Sequence, residues 1–338
     1  MRAAILRAFG EPLDVAEVDR PEPRAGELLV RVRAVGICAT DLKLAAGATA
    51  PRPELPHIPG HEVAGEEVDP RTLEPTGRRV ACHILAACGQ CRECLRGYPV
   101  FCDGAVRMGL DRNGGMAEYA TVRADLAIPF SAGLDFADAA AAMDSVTTPW
   151  HGLHGVGKVQ PGEFSLVVGV GGLGINAVQI AADAGARVAA VDIDESRRAA
   201  AQAAGAELVS APADVEDIRD WSGGGVDLSV ELSGTRAGFD VAATAVRRGG
   251  TVVCCGYFPG VEYGLDSARL VLDNIRVLGS RNASVTESAA ALATVEQRRV
   301  VPRIARRADL SEVNDMLALL KAGRISGRVV LDPSQGAA

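Results

Sequence analysis

The sequence predicts a two-domain α/β chain, a β-rich domain joined to a doubly wound parallel sheet, and three observations carry this. The chain has 338 residues, more than the ~100–200 that one domain usually takes. The N-terminal part, up to about residue 140, is rich in proline and glycine and alternates apolar and polar residues over short segments, as half-buried strands between turns do. Leu28-Leu29-Val30-Arg31-Val32-Arg33-Ala34-Val35 is the clearest such segment. From Phe164 onward, buried strands alternate with amphipathic helices, the βαβ pattern of a parallel sheet.

In chain order, an alanine-rich helix is expected over residues 135–143, a strand over 164–170 and a helix over 175–184. A second strand follows at 188–192 with its helix at 195–204, then a strand at 228–232, a helix around 239–247 and a strand at 251–256. Ser222-Gly223-Gly224-Gly225 reads as a surface loop. Beyond Gly279 the pattern loosens to one helix over 312–322 and a closing strand over 327–331. This tail is expected to rejoin the first domain, giving residues 1–144 with 280–338 as one domain and 145–279 as the other.

Hydrophobic residues make up 48% and charged residues 23% of the chain, which excludes disorder as its main state. With 35 basic against 43 acidic residues the net charge is −8, and the few basic pairs build no stripe, so nucleic acid is not expected as a partner. No apolar run approaches the ~20 residues of a membrane span, and the opening Met1-Arg2-Ala3-Ala4-Ile5-Leu6-Arg7 breaks too early for a signal-peptide core, so a cytoplasmic, membrane-free protein is expected. Eight cysteines in such a chain point to metal or catalysis rather than disulfides.

The first motif is Gly169-Val170-Gly171-Gly172-Leu173-Gly174, set where a strand meets a helix. Gly169 allows the tight turn, Gly171 admits a pyrophosphate to the backbone, and Gly174 permits close helix–strand packing, while the helix start offers free N–H groups to phosphate. Asp192, about twenty residues on, ends the second strand where a carboxylate accepts from a ribose 2′-hydroxyl and repels a 2′-phosphate. NAD is therefore expected over NADP, although Arg197 and Arg198 could hold a phosphate. Asp194 is the better candidate for capping the following helix.

The second motif is Cys88, Cys91, Cys94 and Cys102, four thiols close enough in sequence for one tetrahedral ion. Four thiolates leave no open position, so this reads as a structural Zn²⁺ folding a lobe at about residues 86–104. An iron–sulfur cluster and free thiols are the alternatives. Cys38 and His61, both flanked by glycines, are a thiolate and an imidazole, the ligand types zinc prefers, although two such residues alone would be a buried cysteine and a core histidine as readily as a site.

The CxxCxxCx7C spacing, the earlier Gly36-Ile37-Cys38-Ala39-Thr40-Asp41, the Gly60-His61-Glu62 element with Gly65, and the glycine fingerprint, in this order, resemble the zinc-dependent medium-chain alcohol dehydrogenases over essentially the whole chain. The run Asp144-Ser145-Val146-Thr147-Thr148-Pro149-Trp150-His151 is similar to that of bacterial secondary alcohol dehydrogenases. The resemblance implies a GroES-like catalytic domain, a Rossmann NAD domain, two zincs per chain with the catalytic one between the domains, and a homodimer or homotetramer paired through the Rossmann sheet edges. It implies Cys38 and His61 as catalytic zinc ligands, Glu62 as a neighbour or exchanging ligand, and Asp144 in the place where the family commonly has a cysteine; carboxylate oxygen is an acceptable zinc ligand. It further implies Thr40 as the hydroxyl that bonds the substrate oxygen and starts a proton relay, Thr148 as a nicotinamide-side contact, and Arg328 as a residue reaching the pyrophosphate. Lys43 stands where the relay of the family can continue to a histidine, and Asp41 is placed to orient His61. Ile84 and Tyr257, with the loops 49–59, 108–115 and 258–266, are candidates for the substrate pocket, while His83, His151 and His154 read as structural.

The function expected is hydride transfer between NAD and a secondary alcohol/ketone pair, with zinc stabilising the alkoxide. A polyol or sugar dehydrogenase of the same family is an alternative, as is a catalytically silent NAD-binding protein. A zinc-free reductase of an activated C=C bond is disfavoured by the retained Cys38, His61 and cysteine lobe.

Overall fold

A computed structural model describes residues 1–49 and 52–334. Ala50 and Pro51, part of the expected pocket loop at 49–59, and the last four residues lie outside the described residues. The chain divides into two compact units, one of Met1–Asp144, Ala283–Glu296 and Ile304–Ala338, the other of Ser145–Asn282 and Gln297–Arg303. Residues 280–282 and 297–303, placed with the β-rich domain by the sequence, thus group with the second unit. Among the described residues no helix is long and apolar enough to cross a membrane.

In the first unit the strands run in the order Ile304–Asp309, Arg328–Asp332, Glu27–Ile37, Glu62–Val68, Pro75–Cys82, Ala127–Pro129, with Tyr119–Arg123 also paired to Glu27–Ile37. The strand Glu27–Ile37 is the hub. One of its edges pairs with Glu62–Val68, and the other is shared in succession by Tyr119–Arg123 and Arg328–Asp332. Its alternating sequence buries Val30, Val32 and Val35 in an apolar core with Val63, Val80, Met116 and Leu331. The helix Phe136–Ala141 packs on the strands Glu27–Ile37 and Glu62–Val68, and its buried alanines let it approach closely. It ends earlier than the sequence predicts, because residues Ala142–Val146 open into a π-helical turn, a departure that clusters at functional sites.

The second unit carries one wholly parallel sheet in the order Leu208–Ser210, Arg187–Val191, Phe164–Val168, Val226–Glu231, Val246–Cys254, Arg276–Gly279. Numbered by sequence this is 3-2-1-4-5-6, the doubly wound order in which ligands bind beyond the carboxyl ends of strands one and four. Strand Val246–Cys254 begins before the sequence reading has it, and the preceding helix closes at Ala245. The Val246-Arg247-Arg248 run continues a helical pattern, but Val246 pairs with Val226 across the sheet and tertiary pairing takes it.

Candidate active site

Strand register builds the first site. Gly36 pairs with Glu62, and Val329 pairs with Ile37, so Cys38 leaves the central strand with His61 and Glu62 on one flank and Arg328 on the other. A Cβ on Gly36 would stand 1.9 Å from Glu62 Oε2, so a larger residue here would displace the Glu62 carboxyl. Gly60 has φ +99 and is wedged against residues 109 and 114, where a Cβ on Gly114 would meet its carbonyl at 2.1 Å. The 108–115 segment, expected as a pocket loop, is what presses His61 into place: Gly115 N donates to Gly60 O at 2.9 Å and Met116 N to Pro59 O at 3.0 Å. The π-helical turn brings Asp144 to the same point, with Oδ2 lying 3.4 Å from Cys38 Sγ and 3.9 Å from His61 Nε2. One ligand atom from each of Cys38, His61, Glu62 and Asp144 lies within 4.8 Å of the others.

Asp41 does two jobs. Its Oδ2 accepts from the Cys38 backbone N–H at 2.8 Å at the start of helix Ala39–Ala45, and its Oδ1 faces His61 Nδ1 at 3.3 Å. That fixes the imidazole so that Nε2 turns toward Cys38 and Asp144, as carboxylates do behind metal-binding histidines. Burial pulls the His61 pKa down, yet Asp41 and Cys38 outweigh it and hold it well above its ordinary value. Burial drives Glu62 well above the usual carboxylate range, against Arg328, whose Nη2 is 2.9 Å from Glu62 Oε1. Neither Glu62 oxygen has an aligned hydrogen bond. A buried thiol, an imidazole and orphaned carboxylate oxygens form a donor set that suits a divalent, borderline-soft cation.

Arg328 is buried, with Nη2 on Glu62 and 3.4 Å from Asp144 Oδ2, and with Nη1 donating to Ile37 O at 3.3 Å. Thr40 Oγ1 lies 3.6 Å from Cys38 Sγ, and Lys43 follows on the same helix, half-buried, with its pKa lowered by burial against the attraction of Cys38 and Asp144.

The cysteine lobe is local. Its stem is the two-stranded pairing of Leu85–Ala86 with Val106–Arg107, and one ligand atom from each of Cys88, Cys91, Cys94 and Cys102 lies within 4.8 Å of the others. All four are free thiols, Cys88 exposed and Cys102 buried. Backbone N–H groups of Gln90 and Cys91 lower Cys88 to about 6, so it is ready to bind metal as thiolate.

In the second unit the fingerprint glycines differ in what surrounds them. Gly169 has φ +88 and no room, a Cβ meeting Ser233 N at 2.8 Å; a Cβ on Gly174 would meet Gly169 O at 1.9 Å; around Gly171 nothing lies within 4 Å. Turn, close packing and an open cradle are the three things a pyrophosphate turn needs. Gly172 and Leu173 lead into the helix Gly174–Asp183. Asp192 is buried and accepts from Val170 N at 2.7 Å and from Asp194 N at 2.9 Å. Asp194 caps the helix Glu195–Ala203. Arg197 Nη1 stands 3.9 Å from Asp192 Oδ2, and Arg198 donates to the carbonyls of Asp192 and Ile193. Thr148 sits in the short helix Thr147–Trp150.

Residues 24–132 match the alcohol dehydrogenase GroES-like domain and residues 172–297 the zinc-binding dehydrogenase domain. The chain is 36% identical to an alcohol dehydrogenase of Geobacillus stearothermophilus over 98% of its own length and 99% of the relative's. The chain belongs to the zinc-type medium-chain alcohol dehydrogenases. It is also 31% identical to an NAD-dependent alcohol dehydrogenase of Sulfolobus acidocaldarius, covering 98% of this chain and 99% of that one. Among solved structures, acetophenone reductase from Geotrichum candidum in complex with NAD superposes with a TM-score of 0.85 at 28% identity, covering 99% and 98% of the two chains.

In this alcohol dehydrogenase His83 and His154 have structural surroundings. His83 Nδ1 is 2.8 Å from Ser288 Oγ and burial pushes it down to about 4; His154 packs on Trp150 at 4.6 Å. His57, which drew no attention in the sequence, is buried against Gly109 O at 3.1 Å and helps fix the segment behind His61. Ile84 belongs to the core, and Tyr257 is 56% exposed. The pairing of Arg328 with Glu62 was not visible in sequence, because only the ladder between Arg328–Asp332 and Glu27–Ile37 brings them together. A buried-strand Arg beside Val329-Val330-Leu331 was the available signal: arginine is rarely buried unless paired.

Proposed function

We propose that this enzyme interconverts a secondary alcohol and its ketone with NAD as the hydride partner. The observation that carries the reading is the triangle of buried Cys38 and His61 with the partly exposed Asp144, with Asp41 behind the imidazole and Glu62 beside it. Zinc at these residues supplies Lewis acidity toward the substrate oxygen and bound NAD the hydride acceptor. Cys38 Sγ, His61 Nε2 and Asp144 Oδ2 would hold the ion, with Asp41 Oδ1 facing Nδ1 to keep it protonated. Thr40 Oγ1 would take the alcohol proton as it gives up its own, and Lys43, one turn further along the helix, would accept that proton as the neutral amine that its burial favours. Arg328 balances the charge of Glu62, whose carboxyl would serve as the neighbouring or exchanging ligand.

NAD over NADP follows from Asp192, whose oxygens already receive two backbone N–H groups and would repel a 2′-phosphate. Thr148 would contact the nicotinamide of bound NAD. The ketone named for the acetophenone reductase supports a secondary-alcohol substrate. The cysteine lobe takes a second, structural zinc. A homo-oligomer fits the open edge strand Arg276–Gly279 and the exposed Leu270, Val271 and Leu272 of the neighbouring helix.

A panel of secondary, primary and polyhydric alcohols with NAD and with NADP, followed by nicotinamide absorbance, tests the reading. The highest kcat/KM is expected for a secondary alcohol with NAD. Preference for a polyol, or for NADP, would overturn the corresponding part.

A further inference from the structure

The carboxyl of Glu231 is completely buried at the end of strand Val226–Glu231, the fourth strand of the second unit, directly beyond which the crevice of a doubly wound sheet opens. Three segments converge on it. Its Oε1 accepts from Ser233 N at 2.7 Å, from Gly234 N at 3.0 Å and from the Ser233 hydroxyl, folding the turn 232–235. That turn is pressed against the fingerprint, since Ser233 N is the atom a Cβ on Gly169 would strike. Its backbone oxygen accepts from Cys255 N at 2.9 Å and Gly256 N at 3.0 Å. Its Oε2 lies 2.9 Å from the Tyr263 hydroxyl, which also lies 2.9 Å from Gly256 O. Tyr263 is held by stacking on the buried Phe239, with rings 4.6 Å apart and 6° from parallel.

The proton count is the telling point. Tyr263 has one hydroxyl proton and two acceptors at the same distance. With Glu231 ionised, Tyr263 donates to it and the Gly256 carbonyl is left facing a lone pair. With Glu231 protonated, Glu231 Oε2–H donates to Tyr263 and Tyr263 donates to Gly256 O, so every group is satisfied.

We propose that Glu231 is a positioning residue for the dinucleotide, a neutral acid that clasps turn 232–235 and segment 256–263 to the glycine fingerprint. This rests on the reading that the second unit binds the cofactor. Burial raises the Glu231 pKa against the hydrogen bonds of Ser233 and Tyr263. The titratable groups facing it are Tyr263 and the thiols of Cys254 and Cys255, both thiols pushed up to about 12 by burial and so neutral. Arg236, on the next helix, is committed to Asp240 at 2.8 Å.

Infrared difference spectra of the cofactor-free protein, wild type against Glu231→Gln, test the protonation, and titration of NAD over a pH series rising from the ordinary carboxylate range tests the positioning. The wild type is expected to show a protonated-carboxyl band that the variant lacks. Its NAD affinity and melting temperature should fall as pH rises through the raised pKa, because a carboxyl raised in the folded state contributes stability only while protonated. Glu231→Gln, whose amide can donate to Tyr263, should bind NAD with little pH dependence. Tyr263→Phe, which keeps the ring that stacks on Phe239, should weaken NAD binding roughly 3- to 10-fold with kcat little changed. No carboxyl band together with parallel pH profiles for wild type and Glu231→Gln would overturn the proposal, as would unchanged affinity in Tyr263→Phe. A band in a wild type that binds neither NAD nor NADP would support the clasp and overturn the cofactor reading instead.

Discussion

The two metal-type clusters of this alcohol dehydrogenase are built in opposite ways. The cysteine lobe gathers its thiols from residues 88 to 102, around a two-residue stem and a four-residue helix, with Leu95, Tyr98 and Phe101 largely exposed. Such a lobe has little core to fold it, so its order depends on what the thiols bind. The Cys38–His61–Glu62–Asp144 cluster draws on two strand ends and a helix end far apart in sequence, and is set against the apolar core of the first unit. A local ligand set makes structure from metal, whereas a distributed set uses structure to hold a metal ready with room for substrate.

Removing ligands from each cluster should separate these roles. Cys38→Ala is expected to lower kcat/KM by at least ~10³-fold, about 4 kcal/mol of transition-state stabilisation, while the melting temperature stays close to wild type. Cys91→Ser should instead expose residues 88–102 to limited proteolysis and lower the melting temperature, with the kcat of undigested protein largely retained. A variant pair with the two outcomes exchanged would dissolve the distinction.

The Arg328–Glu62 pair is the next largest effect. Arg328→Gln leaves a buried carboxylate uncompensated, which costs on the order of 3–5 kcal/mol, read as a lower urea midpoint. Adding Glu62→Gln should restore most of that loss, which a role confined to cofactor contact would not produce.

His83 tests the framework away from the metal. Its folded-state pKa is depressed to about 4 by burial, against an ordinary value near 6.5. The neutral imidazole therefore contributes stability that is present above about pH 6.5 and lost as pH falls toward 4, roughly 2–3 kcal/mol over the window. His83→Gln should flatten the urea-midpoint profile across that range.

Asp41→Asn is expected to have the smallest effect, about 10- to 100-fold in metal affinity or kcat. The amide can still hold Cys38 N but is a weaker partner for His61 Nδ1, so metal affinity should fall without global destabilisation.

What was legible in the sequence follows the same division. The lobe and the glycine fingerprint could be read directly, since their function lies in local spacing, and the glycines Gly169, Gly171 and Gly174 have the three surroundings their order implies. Four strands of the second unit and the helices between them were readable from period, but the short edge strands Leu208–Ser210 and Arg276–Gly279 and the helices Val215–Trp221 and Ser267–Leu272 were not, and pairing with Val226 recruited Val246. In the first unit Cys38 and His61 were individually unremarkable and needed the family resemblance. The roles of Gly36, Arg328 and the π-helical turn at Asp144 lie in strand register and helix geometry, which single-residue patterns do not encode. The Glu231 clasp was invisible for the same reason, its partners coming from three separate segments.

The most direct test of the central claim is zinc content per chain, measured on wild type and Asp144→Ala alongside turnover with a secondary alcohol. Two zincs in the wild type, matching the two ligand clusters, with the variant keeping only the lobe's zinc and losing turnover, is the predicted result. An Asp144→Ala protein that retains both zincs and full activity would contradict it.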